Sequence, residues 1–102
     1  MPDYIIAYHD SGKRPESKEA GARQMEQWKV WVGGLGDAIV NPGTPLANSK
    51  TVSTGGVADT GLNGLTGFSI VKADTMDAAI EMAKACPYLE MGTLEVAEVR
   101  QM

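Results

Sequence analysis

The sequence predicts an α+β domain in which an antiparallel sheet carries two helices on one face. Three segments are rich in β-branched and aromatic residues, two others have a helical period, and their order is strand, helix, one or two short strands, strand, helix, strand. The chain has 102 residues, of which 43% are hydrophobic and 22% charged. Because this is the size and composition of one globular core, we expect a single domain over residues 1–102.

The first predicted strand, Tyr4–Tyr8, is apolar on both of its faces. A strand of this kind is typically central in a sheet that is covered on both faces. Two helices on one face leave the other face of the sheet uncovered. The second cover is then predicted to be another copy of the chain, which makes the protein a homodimer or a higher oligomer.

The next segment, residues 16–35, has the period of a helix that packs on a sheet, and glycines follow it as helix terminators. Its predicted core stripe contains Met25, Trp28, Val32 and Leu35. Trp31 falls toward the edge of this stripe, where it can line a pocket between helix and sheet together with Tyr8. Core packing or a dimer contact is the alternative role for the tryptophans.

The middle of the chain contains shorter elements. A short strand is predicted over Ala38–Val40, and extended structure resumes over Lys50–Ser53. The Gly-, Asp- and Asn-rich tract Thr54–Gly64 indicates a hairpin connection or a lid rather than a core element.

The last third predicts a strand over Gly67–Ala73, a helix over Met76–Ala85 that Pro87 ends, and a strand over Thr93–Val99. The apolar alternation of this last strand changes phase, which predicts a bulge near Ala97. The full order is that of a ferredoxin-like βαββαβ sheet.

Two segments, GFSIVKADTMDAAIEMAKACPYLEMGTLEVAEV and WKVWVGGLGDAIVNPGTPL, resemble the YCII-related family of small proteins. The resemblance implies a dimeric α+β barrel. The best-known members of that family carry a histidine in the first helix, whereas KEAGARQMEQWKVWVGGL has none, and the family's aspartate-glycine-proline-phenylalanine signature is also missing here.

The candidate polar site consists of His9 and Asp37. His9 is the single histidine, at the end of the first strand, and Asp37 follows the glycine cluster directly. If the first strand runs parallel to the strand GFSIVKA beside it, His9 lies near the end of that strand and near the first helix. A pocket that contains both side chains would provide a general acid–base pair. The alternatives are a histidine that hydrogen-bonds at the sheet rim and an aspartate that stabilises a turn.

Composition argues against several classes of protein. A net charge of −4 disfavours nucleic-acid binding, and one cysteine allows no intrachain disulfide. No apolar run reaches membrane-spanning length, so we expect a cytoplasmic protein without a membrane partner. Neither a metal nor a cofactor is expected, since His9 with Asp10, Asp37 or Asp59 has no ligand spacing.

Three functional hypotheses follow. The first is a homodimer that binds a small organic molecule in a helix–sheet cleft, with Tyr8 and Trp31 as walls and His9 and Asp37 as anchors. The second is an acid–base enzyme of the isomerase, lyase or cofactor-free oxygenase type that uses His9 and Asp37. The third is a structural or protein-interaction module.

Overall fold

The computed structural model describes residues 1–12, 16–59 and 64–100. Its elements are β1 Asp3–Asp10, α1 Lys18–Leu35, β2 Ile39–Asn41, β3 Lys50–Ser53, β4 Gly56–Asp59, β5 Leu65–Lys72, α2 Met76–Lys84 and β6 Gly92–Glu98. Short 3-10 turns over Gly36–Ala38 and Pro87–Glu90 follow the two helices. The main sheet has the strand order β2-β5-β1-β6, and all its neighbours are antiparallel. The predicted α+β, ferredoxin-like fold class is confirmed.

The central strand β1 runs antiparallel to β5, so the predicted parallel pairing was wrong. Helix α1 returns the chain across the sheet, which makes β2 parallel to β1 and leaves β5 between them in the opposite direction. His9 therefore lies opposite Leu65 at the start of β5, and opposite Thr93 in β6.

One face of the sheet carries the core. Tyr4, Ile6 and Tyr8 alternate along β1 as buried residues, and they pack with buried side chains from both helices. The remaining buried members of this cluster are Trp31, Val71, Ala73, Ala79, Ala83 and Cys86. On the opposite face, which we call the open face, Ile5 and Ala7 of β1 are only half-buried.

Both helices begin at side-chain caps. Ser17 Oγ accepts a hydrogen bond from the amide of Ala20, and Thr75 Oγ1 accepts one from the amide of Ala78, each at 3.1 Å. Gly36, with a φ of 54°, ends α1 and donates its amide to the Gly33 carbonyl. The caps fix where α1 starts and ends above the sheet.

Two expectations about the edges of the fold have different outcomes. Within Thr54–Gly64, residues Gly56–Asp59 form β4, the second strand of an exposed hairpin with β3, while residues 60–63 lie outside the described residues. The prediction of a bulge near Ala97 was wrong, because β6 pairs with β1 in continuous register. Glu98 stays exposed at the end of this edge strand, so no bulge is needed to keep its carboxylate out of the core.

Candidate functional site

A cavity of about 290 Å³ lies between the N-terminal half of α1 and the sheet. Its walls come from α1, from the loop after β2, from the start of β5 and from the turn after α2. The main lining residues are Tyr8, Gln24, Met25, Trp28, Gly43, Thr44, Pro45, Thr66, Gly67, Phe68, Tyr88 and Met91. Most of this lining is apolar, and its polar atoms are hydroxyl, amide and indole groups.

Tyr8 forms the floor of the cavity and joins a chain of hydrogen bonds. Trp28 Nε1 donates to Tyr8 Oη at 3.1 Å, and Tyr8 Oη lies 2.6 Å from Ser69 Oγ. Ser69 Oγ in turn donates to the Pro42 carbonyl at 2.8 Å. The chain links α1, the loop after β2 and β5, which are three of the walls, to the cavity floor in β1.

A second polar group, Thr66 with Tyr88, borders the same floor. The register of β1 and β5 shifts between Tyr8 and His9, which leaves Thr66 as an extra residue in β5. Thr66 Oγ1 lies 2.8 Å from Tyr88 Oη and 3.3 Å from the carbonyl oxygen of Tyr8. The Tyr88 ring packs against the Tyr8 ring at a centroid distance of 5.3 Å, which places two aromatic rings side by side at the cavity wall.

Gly43 allows the loop after β2 to approach β5. A Cβ at this position would overlap the Phe68 carbonyl, and its φ of 84° lies in the left-handed region that other residues avoid. The Gly43 amide donates to Asn41 Oδ1 at 2.8 Å, which holds the turn. This wall of the cavity therefore depends on glycine.

The electrostatic character of the cavity is neutral. Burial raises the pKa of the Tyr8 hydroxyl, and the hydrogen bonds with Ser69 and Trp28 oppose that rise. Tyr8 is therefore protonated at neutral pH. Among the described residues that line the cavity, none has a charged side chain.

The family model of the YCII-related domain matches residues 5–102. The chain belongs to the YCII-related family. A similar solved structure is the 5-chloro-2-hydroxyhydroquinone dehydrochlorinase TftG from Burkholderia phenoliruptrix AC1100, in complex with 2,5-dihydroxybenzoquinone. The two share 16% sequence identity with a TM-score of 0.63, over 98% of this chain and 95% of that one, so the likeness shows a common fold. A search of curated proteins gives no significant match.

The tryptophan that lines the cavity of this YCII-related chain is Trp28 rather than Trp31. Trp31 is 9% exposed and belongs to the buried core, where its Nε1 donates to the Met82 carbonyl in α2 at 3.0 Å. The prediction that Trp31 lines this pocket was wrong, because α2 packs against the side of α1 that carries Trp31. Of the two predicted walls, Tyr8 lies at the cavity floor.

His9 lies outside the cavity, because its side chain alternates with that of Tyr8 and extends toward the open face. Its Nε2 is 3.0 Å from Glu95 Oε1, and its side chain is 20% exposed. The histidine of this family member is thus paired with a carboxylate of β6.

Asp37 lies in the exposed turn before β2, at the other end of the sheet. Ile39 of β2 pairs with Val71 of β5, and Val71 pairs with Tyr4 of β1. Tyr4 lies five residues before His9. At about 3.4 Å per residue, those five residues of β1 span roughly 17 Å. Within one chain the fold does not bring His9 and Asp37 together.

For three residues of the site, the sequence pattern does not indicate a role in the cavity. Trp28 belongs to a helical stripe, Tyr88 follows a helix-ending proline, and Thr66 precedes a predicted strand. Their meeting depends on contacts between distant segments, such as the one between Thr66 and Tyr88.

Two further properties concern the described residues alone. None of the described helices is long and apolar enough to cross a membrane. The same part of the chain contains no group of three or more His, Cys, Asp or Glu side chains arranged to hold a metal ion.

Proposed function

We propose that this YCII-related protein binds a small organic molecule, about one ring in size, in the cavity beneath α1. The observation that carries the proposal is an apolar space of about 290 Å³ whose hydroxyl groups are clustered at one end. Small-molecule sites in proteins have this composition, in which apolar walls supply affinity and a few polar groups set orientation.

The size of the cavity supports a ligand with one ring. A closed cavity of roughly 150 Å³ accommodates benzene, so this larger space has room for a ring with several substituents. The TftG structure was solved with 2,5-dihydroxybenzoquinone, which is also a single six-membered ring. The aromatic walls Trp28, Tyr8 and Tyr88 suit a flat ligand.

The two indole N–H groups provide the test, because one lies at the cavity and the other in the core. Titration of ¹⁵N-labelled protein with single-ring compounds should shift the Trp28 indole signal and leave the Trp31 signal in place. The Met25→Trp variant, which fills the cavity from α1, should weaken binding by about tenfold or more.

The matched control is Val30→Trp, at an exposed position of the same helix that does not line the cavity. It should bind as the unchanged protein does. Equal shifts of both indole signals, or equal weakening by both variants, would contradict the cavity as the binding site.

We also propose that the protein is a homodimer whose copies cover each other's open face. Ile5 and Ala7 of β1 and Ile70 of β5 are half-buried there, and Ile5 pairs directly with Ile70 across the two strands. No helix covers this apolar surface in the described parts of the chain. A second sheet would bury it, as in stacked antiparallel sheets.

Light scattering after size-exclusion chromatography should give the mass of a dimer, and Ile70→Glu should give that of a monomer. Val30→Glu, on the outer surface of α1, is the control and should stay dimeric. A monomeric mass for the unchanged protein at high concentration would rule the dimer out.

A further inference from the structure

The hydroxyl groups at the cavity floor donate their hydrogens within the chain. A carbonyl can only accept, so Ser69 must use its single hydrogen on the Pro42 carbonyl. Tyr8 is then the donor in its 2.6 Å contact with Ser69, and it also accepts the indole hydrogen of Trp28. Neither Tyr8 nor Trp28 has a polar hydrogen left for a ligand.

The same accounting applies to Thr66 and Tyr88, which have two hydroxyl hydrogens for three contacts. Their mutual contact takes one hydrogen, and the other goes to the carbonyl of Tyr8 or of His9, each at 3.3 Å. In either arrangement both hydrogens are used, while lone pairs on the oxygens of Thr66 and Tyr88 remain available. The inner wall of the cavity therefore accepts hydrogen bonds and does not donate them.

Charge limits the ligand further. The described lining residues supply neither a cation for a carboxylate nor a carboxylate for an ammonium group. Transfer of an unpaired charge into such a site costs far more than one hydrogen bond returns. The remaining polar side chains of the described lining, Gln24 and the exposed Thr44, belong to α1 and to the loop after β2.

We propose that the cavity selects uncharged ring compounds that donate a hydrogen bond through a hydroxyl group, that is, phenols. The phenol hydroxyl donates to the oxygen of Tyr88 or Thr66, and the ring packs against Trp28 and Tyr8. This inference rests on the proposed function, since it names the class of ligand for the same cavity. A carbonyl or ether oxygen at that position would face only oxygen lone pairs.

The experiment compares phenol, anisole, benzoate and benzylamine at pH 7 by the shift of the Trp28 indole signal. The four probes share one benzene ring and differ in whether the polar group donates and whether it is charged. Phenol should bind about tenfold more tightly than anisole, the fold-change expected of one hydrogen bond. Benzoate and benzylamine should bind more weakly than anisole.

Two variants connect this preference to the inner wall. The double variant Tyr88→Phe/Thr66→Val removes both acceptors of the inner wall and should reduce the preference of phenol over anisole to less than about threefold, while anisole still binds. Tyr4→Phe removes the hydroxyl of a tyrosine on the same face of the sheet that does not line the cavity, and it should keep the full preference.

The possible outcomes separate the two proposals. If none of the four probes shifts the Trp28 signal, the proposed binding function fails. If anisole, benzoate or benzylamine binds as tightly as phenol, the cavity binds rings but the selection for phenols is wrong. A preference for phenol that survives the double variant Tyr88→Phe/Thr66→Val would also overturn the role assigned to the inner wall.

Discussion

The two tryptophans of α1 mark two ends of one helix–sheet interface, and the ends differ in how they are filled. At the filled end, Trp31 shares a buried cluster with Ala79, Ala83 and Cys86. At the hollow end, Trp28 borders the cavity with Tyr8 and Tyr88.

Each indole N–H has an acceptor, a carbonyl of α2 for Trp31 and the Tyr8 hydroxyl for Trp28. The difference between the ends is therefore not one of polarity. Small alanine side chains let α2 pack closely around Trp31, whereas a loop and a turn face Trp28. A cavity remains where the second helix no longer covers the sheet.

The largest expected effect comes from truncating the two tryptophans in turn. Trp31→Ala should lower the free energy of unfolding by about 3–5 kcal/mol, because it leaves a large void in a packed core. Trp28→Ala should cost only ~1–2 kcal/mol, since its ring already borders open space. Urea unfolding of both variants measures the difference, and equal losses would mean that the two ends are equally packed.

A smaller effect is expected at the wall of the hollow end. Gly43→Ala should lower the free energy of unfolding by roughly 2 kcal/mol, because its Cβ overlaps the Phe68 carbonyl and its φ is positive. Gly33→Ala is the control, since nothing lies within 4 Å of its Cβ inside α1. That change should stabilise the protein by up to about 1 kcal/mol. Thermal unfolding that moved both variants in the same direction would contradict this account of the wall.

The smallest effect is confined to alkaline pH and concerns Cys86 at the filled end. Burial raises the pKa of its thiol from 9.0 to about 11. Well below pH 9 the thiol is protonated whether the chain is folded or not. Between pH 9 and 11 the unfolded chain releases the proton first, so the free energy of unfolding should fall as pH rises.

The Cys86→Ala variant should lose that part of the pH dependence, as measured by urea unfolding at pH 7 and pH 10. In the folded protein at pH 8, the thiol should react with a disulfide reagent far more slowly than a free cysteine does. Rapid reaction without unfolding would show that the filled end is open.

The sequence predicts the order and type of the main elements because each depends on local periodicity. The alternation in Tyr4–Tyr8 and the helical spacing in Met76–Ala85 are visible without knowledge of their partners. The fold class follows from their order. The parallel pairing of β1 with β5 failed because strand direction depends on the whole path of the chain, including the crossover by α1.

The site is harder to predict than the fold, because its residues meet across long sequence separations. Trp28 and Trp31 lie on neighbouring positions of one helix, and the position of α2 decides which of them is core. On the open face, His9 is hydrogen-bonded to Glu95, which lies 86 residues away in the sequence. No sequence motif predicts that pair. Tyr88 contacts Thr66, 22 residues away, at the position where the register of β1 and β5 shifts.

The hydrogen-bonded chain from Trp28 through Tyr8 and Ser69 to Pro42 also bears on how the site would respond to a ligand. An apolar space of this size gains packing energy if its walls move inward, yet such movement would break polar contacts that are buried or partly buried. These hydrogen bonds therefore oppose collapse of the cavity when no ligand is bound. A ligand that enters a preorganised site gives up little free energy to reshape it, so small, weakly interacting molecules can bind with most of their contact energy retained.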